Sequence, residues 1–246
     1  MKSLADLKIK IFADGAEKKG ILEMRQQPYI SGFTTNPTLM CKAGIRDYKA
    51  FAMDILAHIR DLPLSFEVFS DDFNEMYPQA LEIASWGENV YVKIPVTNTR
   101  AESSLPLIRK LCQKGVKQNV TALMTLKQVT EVAQALANGP SAYISVFAGR
   151  IADTGRDPVQ IMSQALTQMR PYPQLELIWA SPRELLNIFQ ADAIGCHIIT
   201  VTNDVLKKLS LIGKNLEEYS LETVKMFRDD AVKAGFVIET AINEIA

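Results

Sequence analysis

Eight short β-rich runs alternate with longer segments of helical spacing, and that alternation leaves few folds open to the chain. The runs are Lys8–Ala13, Tyr29–Phe33, Leu64–Phe69, Asn89–Ile94, Lys117–Thr121, Ala142–Val146, Leu175–Ala180 and Gly195–Thr200. Asp47–Arg60 and Thr125–Asn138 are examples of the helical segments between them. In the second, Leu126, Val129, Val132 and Ala133 recur at i, i+3, i+6 and i+7, which builds one apolar helix face. Strand and helix in strict alternation predict parallel strands joined by helical crossovers. Eight such units predict an α/β fold of the closed (β/α)8 barrel type rather than an open doubly wound sheet. No G-x-G-x-x-G turn follows the first run, which weakens the dinucleotide-binding alternative. The expectation is a single barrel domain over residues 1–246, with a C-terminal helical extension from about residue 216. Leu221, Val224, Phe227 and Val232 give that extension an apolar stripe, after a turn at Gly213-Lys214-Asn215. It is expected to pack across the barrel or against a neighbouring subunit.

The length of 246 residues suits one barrel, and 48% hydrophobic residues suffice for a large core. Lys plus Arg number 27 and Asp plus Glu 28, with no basic block or acidic tail, so neither nucleic acid nor an anionic membrane is a favoured partner. Cys41, Cys112 and Cys196 are odd in number and in no metal-ligand spacing; they read as reduced thiols of a cytoplasmic protein. The first ten residues carry no signal-peptide pattern, and no stretch reaches the length of a membrane span. The two histidines, His58 and His197, are assigned to the surface and to the core or bottom of the barrel, and no metal site is expected.

In a closed parallel barrel, residues at the carboxyl ends of the strands converge on one face, where barrel active sites lie. Lys93 sits in the run Asn89–Val96, which otherwise reads as a buried strand. Its stem could cross the sheet while the amine reaches water. A buried lysine instead tends to shed its charge and become a nucleophile able to form a Schiff base. The other strand ends supply Asp14, Thr34-Thr35-Asn36-Pro37, Glu67, Asn119 and Thr121, Ser145 with Gly149-Arg150, Ser181-Pro182-Arg183, and Thr200. Singly, several have plainer readings: Asp14 as a helix cap, Asn36-Pro37 as a turn, the arginines as surface residues. Together they suit aldol cleavage. An iminium on lysine accepts the electrons of the breaking C–C bond, and a carboxylate takes the hydroxyl proton. A second carboxylate serves water, asparagines hold hydroxyls, and arginines bind an anion.

The motifs Phe12-Ala13-Asp14, Thr34-Thr35-Asn36-Pro37, Phe66-Glu67-Val68, Val92-Lys93-Ile94-Pro95, Asn119-Val120-Thr121, Ser145–Arg150 and Ala180-Ser181-Pro182-Arg183, in this order, resemble the transaldolase family. The resemblance implies Lys93 as the Schiff-base lysine and Asp14 as the acid/base of C–C cleavage. It implies Glu67 and Thr121 as the pair that binds the catalytic water. Asn36, Asn119 and Ser145 would hold the dihydroxyacetone part, and Arg150, Ser181 and Arg183 the phosphate. The implied reaction moves three carbons from sedoheptulose 7-phosphate to glyceraldehyde 3-phosphate, without cofactor or metal. Related aldolases have glutamine in place of Glu67 and tyrosine in place of Phe147, so both positions here are of transferase type. Pro182 departs from the usual phenylalanine and restricts the backbone of Ser181. The rival readings are a related aldolase, a transferase for another ketose phosphate, and a non-catalytic sugar-phosphate-binding barrel. The family implies a homo-oligomer, a dimer or a decamer.

Overall fold

A computed structural model of the chain describes residues 3–239. All eight runs form strands: β1 Lys10–Asp14, β2 Ile30–Thr34, β3 Leu64–Glu67, β4 Val90–Pro95, β5 Gln118–Leu123, β6 Ala142–Val146, β7 Leu175–Trp179 and β8 Ile198–Thr202. They pair in chain order, all parallel, and β8 closes on β1 as an eight-stranded barrel with helical crossovers outside. Four of the sixteen ends coincide with the expected ones and the others differ by one to three residues, because ladder hydrogen bonds rather than hydrophobicity decide where a strand begins. The Lys8 and Ile9 amides donate to the buried Asp192 carboxylate at 2.7 and 3.0 Å, so pairing of β1 starts at Lys10. At the other end β8 continues to Thr202, which pairs with Asp14.

The helices start where short polar side chains cap their free amides. Asp47 accepts from Ala50 N at 2.9 Å to open the helix Tyr48–His58, and Thr125 and Gln128 form a capping box on the helix Leu126–Leu136. Val129, Val132 and Ala133 of the latter are buried against the barrel.

Successive strand residues point to opposite faces. The outward set, including Ile11, Phe33, Phe66, Val92 and Leu177, is buried under the helices. The inward set forms layers. Phe12, Tyr91, Tyr143, Ile178 and Ile198 fill the waist, where Tyr91 and Tyr143 stack at 4.0 Å and Phe12 meets Tyr143 edge-on. Gly32 makes room there: a Cβ at this position would lie 2.6 Å from the Phe12 ring. Below the waist Lys10 pairs with Glu176 at 2.7 Å, and His197 accepts a hydrogen bond from the Leu177 amide, which places it at the bottom of the barrel. Above it the inward residues are polar.

The helix Leu216–Lys233, capped by Asn215, has no buried residue. It therefore does not pack across the barrel, contrary to the first of the two expected placements. The outward strand residues are already covered by the crossover helices, which leaves it no apolar barrel face to join. Leu221, Val224, Phe227 and Val232 are exposed. Residues 240–246 of the expected extension lie outside the described residues. Among the described residues no helix is long and apolar enough to cross a membrane, and all three cysteines are free thiols.

Candidate active site

A cavity of about 1250 Å³ opens at the carboxyl ends of the strands, and the ten side chains to which the resemblance gives roles line it together with Phe147 and Pro182. Lys93 forms its floor. The side chain is buried at 7% exposure, and its Nζ lies 2.8 Å from the Thr35 carbonyl oxygen and 3.0 Å from Glu67 Oε2. The burial comes from β4, an otherwise apolar central strand. The surroundings of the amine differ from an apolar pocket, because β3 places Glu67 at the same register as Lys93 and supplies a counter-charge. The stem does not carry the amine out to bulk water.

Asp14 ends β1 and caps no helix; its Oδ1 accepts from the Thr34 hydroxyl at 2.7 Å. The Thr34 and Thr200 hydroxyls are themselves 2.5 Å apart. Enclosure in the barrel mouth pushes the Asp14 carboxyl above its ordinary pKa, against the opposing pull of Lys93 and the Thr34 hydrogen bond. Glu67 adds a like charge that pushes in the same direction as burial.

Asn119 follows Lys93 in register on β5. Its amide is oriented from both sides: Nδ2 donates to Ser65 Oγ at 3.0 Å, and Oδ1 accepts from Ser145 Oγ at 2.7 Å. One amide hydrogen is left for the cavity. Asn36 caps the helix Pro37–Lys42 through Oδ1, at 3.0 Å from Leu39 N, which leaves its amide hydrogens available. The Thr121 hydroxyl is buried, has no partner among the described residues, and belongs to the cavity wall. A buried hydroxyl without a partner is a ready site for water. The residue after it, Ala122, has φ of +66°, where the β5–β6 register shifts.

The β6 and β7 ends form the cationic side. Phe147 precedes the helix Ala148–Ala152, and the Arg150 guanidinium lies 5.9 Å from its ring. Arg183 is held by Asp153 through both Nε, at 3.1 Å, and Nη2. Gly149 lets the two loops meet: a Cβ there would fall 1.6 Å from the Ser181 carbonyl oxygen. Ser181, ahead of the buried Pro182, adopts φ of +59°, a strained conformation of the kind that clusters at functional sites.

Some site features had no sequence signal. Asp153 bracing Arg183 is one. Tyr48, whose hydroxyl touches both backbone polar groups of Glu67, is another; it lies in an ordinary amphipathic helix. Thr202, Asn203 and Asp204 also line the cavity, beyond the expected end of the eighth strand. Trp179 is wholly buried and packs away from the cavity.

The model of the family "Transaldolase/Fructose-6-phosphate aldolase" matches residues 11–242. A relative from Thermoanaerobacter sp. (strain X514), named "Probable transaldolase", is 36% identical over 231 residues, 94% of this chain and 100% of its own length. One of the same name from Methanococcus maripaludis (strain C7 / ATCC BAA-1331) is 34% identical over 202 residues, 82% of this chain and 89% of its own. Among solved structures, KGPDC from Streptococcus mutans superposes with a TM-score of 0.56 at 8% identity, covering 81% of this chain and 90% of its own. 2,3-Dimethylmalate lyase gives 0.53 at 12% identity, covering 99% and 89%. These distant structures share the barrel alone. Sequence kinship over nearly the whole chain carries more: the protein belongs to the transaldolase/fructose-6-phosphate aldolase family.

Proposed function

We propose that the protein is a transaldolase that moves a three-carbon dihydroxyacetone unit between phosphorylated sugars through a Schiff base on Lys93. The observation that carries this reading is a buried lysine amine 3.0 Å from a carboxylate, in a large cavity at the mouth of a transaldolase-family barrel. The amine, once deprotonated, adds to the ketone carbon of the donor to give a carbinolamine. Loss of water then gives the iminium. Glu67 and Thr121 hold the water and shuttle its protons, a role supported by the Glu67–Lys93 contact and the unpartnered Thr121 hydroxyl. Asp14 takes the proton of the hydroxyl whose oxygen becomes the leaving aldehyde, and the bond's electrons pass into the iminium to form an enamine. The enamine then attacks the acceptor aldehyde, Asp14 returns the proton, and hydrolysis frees Lys93.

Asn36, Asn119 and Ser145 hold the three-carbon unit. Arg150, Ser181 and Arg183 form the phosphate end, with sedoheptulose 7-phosphate as donor and glyceraldehyde 3-phosphate as acceptor. Asp153 holds the Arg183 guanidinium in a fixed plane, which suits bidentate recognition of a phosphate by its remaining donors. The three free thiols support a reducing compartment, the cytoplasm. A homo-oligomer, dimer or decamer, is supported by the exposed Val224 and Phe227, at 60% and 64%, on a helix with no face against its own barrel. Light scattering in solution decides between these assemblies and a monomer.

Borohydride reduction in the presence of fructose 6-phosphate, followed by peptide mass analysis, tests the chemistry. The expected result is a three-carbon adduct on the peptide containing Lys93, absent from Lys93→Met. An unmodified Lys93 would end the Schiff-base reading. Turnover of fructose 6-phosphate is expected to require erythrose 4-phosphate; turnover without an acceptor would make the enzyme an aldolase.

A further inference from the structure

β2 and β3 pair only at Phe33–Leu64 and Thr34–Ser65. Beyond that point β2 turns away at Asn36 to begin the helix Pro37–Lys42. In a parallel sheet the N–H and C=O of one residue face the same neighbouring strand. The Val68 amide donates to the Lys93 carbonyl at 3.1 Å, so the backbone of Glu67 faces the other way, toward the gap that β2 leaves. A buried backbone pair without partners is costly. Tyr48 fills the gap. Its hydroxyl oxygen accepts from the Glu67 amide at 2.7 Å and donates to the Glu67 carbonyl at 3.0 Å, which are the two bonds a strand residue would have made.

The phenol is itself held firmly. Its ring meets Phe69, Trp86 and Phe66 at 4.9, 5.8 and 6.3 Å between centroids. Burial raises its pKa, so the hydroxyl keeps the proton it donates. The Thr35 hydroxyl, just past the end of β2, donates to the Ser65 carbonyl at 3.4 Å. Thr35 and Glu67 are the two residues whose oxygens hold the Lys93 amine, one through its carbonyl and the other through its carboxylate. Tyr48 does not reach the cavity.

We infer that Tyr48 is a positioning residue of the reaction: standing in for a missing strand partner, its hydroxyl fixes the end of β3 so that the Glu67 carboxylate meets the Lys93 amine. The inference rests on the roles proposed above for Lys93 and Glu67. A purely structural tyrosine would contribute stability equally whatever stands at position 67. A positioning tyrosine acts through the Glu67 side chain.

A double-mutant cycle separates the two. Tyr48→Phe keeps the ring contacts and removes only the hydroxyl. In the otherwise native enzyme it is expected to lower kcat by about tenfold, with KM changed by less than about twofold. In a Glu67→Ala background the same change is expected to cost less than about twofold in kcat. Phe69→Ala, which loosens the packing of the Tyr48 ring, is expected to lower kcat in the native background and to cost less than about twofold in the Glu67→Ala background. Equal kcat losses in the native and Glu67→Ala backgrounds would overturn the inference. Borohydride trapping in the native enzyme keeps the levels apart. An adduct on Lys93 with additive kcat losses removes the role of Tyr48 and leaves the Schiff-base reading standing; no adduct on Lys93 removes both.

Discussion

Glu67 and Lys93 stand at the same register on neighbouring strands, and their charged groups meet at 3.0 Å inside the barrel mouth. The pair explains how a lysine can be kept in a core. Removing one charge from water is costly, and a close counter-charge with a second acceptor, here the Thr35 carbonyl, offsets the cost. In the proposed reaction the same carboxylate is the nearest base for the ammonium proton that must leave before the amine attacks.

Glu67 and Phe147 together set the fate of the enamine in this reading. Glu67→Gln combined with Phe147→Tyr is expected to raise release of free dihydroxyacetone from fructose 6-phosphate by at least about tenfold relative to transfer. The tyrosine hydroxyl gives water a new hold beside the reacting carbon. Product analysis with and without erythrose 4-phosphate checks the ratio, and an unchanged ratio rejects the assignment.

Asp14 is kept enclosed at a cost to stability. Its folded-state pKa is raised above the ordinary 3.8 by burial, so the native state holds the proton to higher pH than the unfolded chain does. The favourable contribution is complete below pH 3.8 and is lost as pH rises through the folded value. Asp14→Asn is therefore expected to be more stable than the native protein at neutral pH, with the gain vanishing toward pH 3.8, while activity falls by about 100-fold or more. Denaturant melts across pH, beside turnover assays, provide the check.

Gly149 has no room for a side chain. Gly149→Ala would drive a methyl into the Ser181 carbonyl, 1.6 Å away, and force the β6 and β7 loops apart. The expected cost is about 1–3 kcal/mol of stability. Because the same loops carry Arg150 and Arg183, a rise in KM for phosphorylated substrates should accompany it. Urea unfolding and steady-state kinetics measure the two effects.

His197 gives the bottom of the barrel a pH dependence of the opposite sense. Its Nδ1 accepts from the Leu177 amide at 2.9 Å, which requires the neutral ring. Burial holds its pKa below 6.5, so the native state binds the proton less readily than the unfolded chain. Its contribution is present above pH 6.5 and is lost as pH falls toward the folded value. His197→Asn, which keeps an acceptor but cannot titrate, is expected to flatten the loss of melting temperature below pH 6.5. An unchanged slope would show that another group governs it.

Much of the barrel is legible in the chain, because strand and helix periods are local properties of neighbouring residues. The eight runs and the polar residues at their ends could be read that way, and Lys93, Asp14, Glu67, Asn119 and Thr121 do meet in one cavity. The C-terminal helix was harder. Its apolar stripe is visible in sequence, but whether the barrel has a face left to receive it depends on how the other helices have already covered the strands.

Pairings between distant residues belong to the tertiary structure alone. Tyr48 and Glu67 are 19 residues apart, Asp153 and Arg183 30 apart, and no period or motif joins them. The same holds for the surroundings of Lys93. A run of apolar neighbours left open whether its amine was buried or reached water; closure of the barrel decided that, and what the amine would face. Barrel register brings Glu67 beside it, and the turn of β2 brings the Thr35 carbonyl. Local sequence determines which elements form and which side chains point inward; the strand register and barrel closure determine which of those side chains touch, and the chemistry depends on that contact.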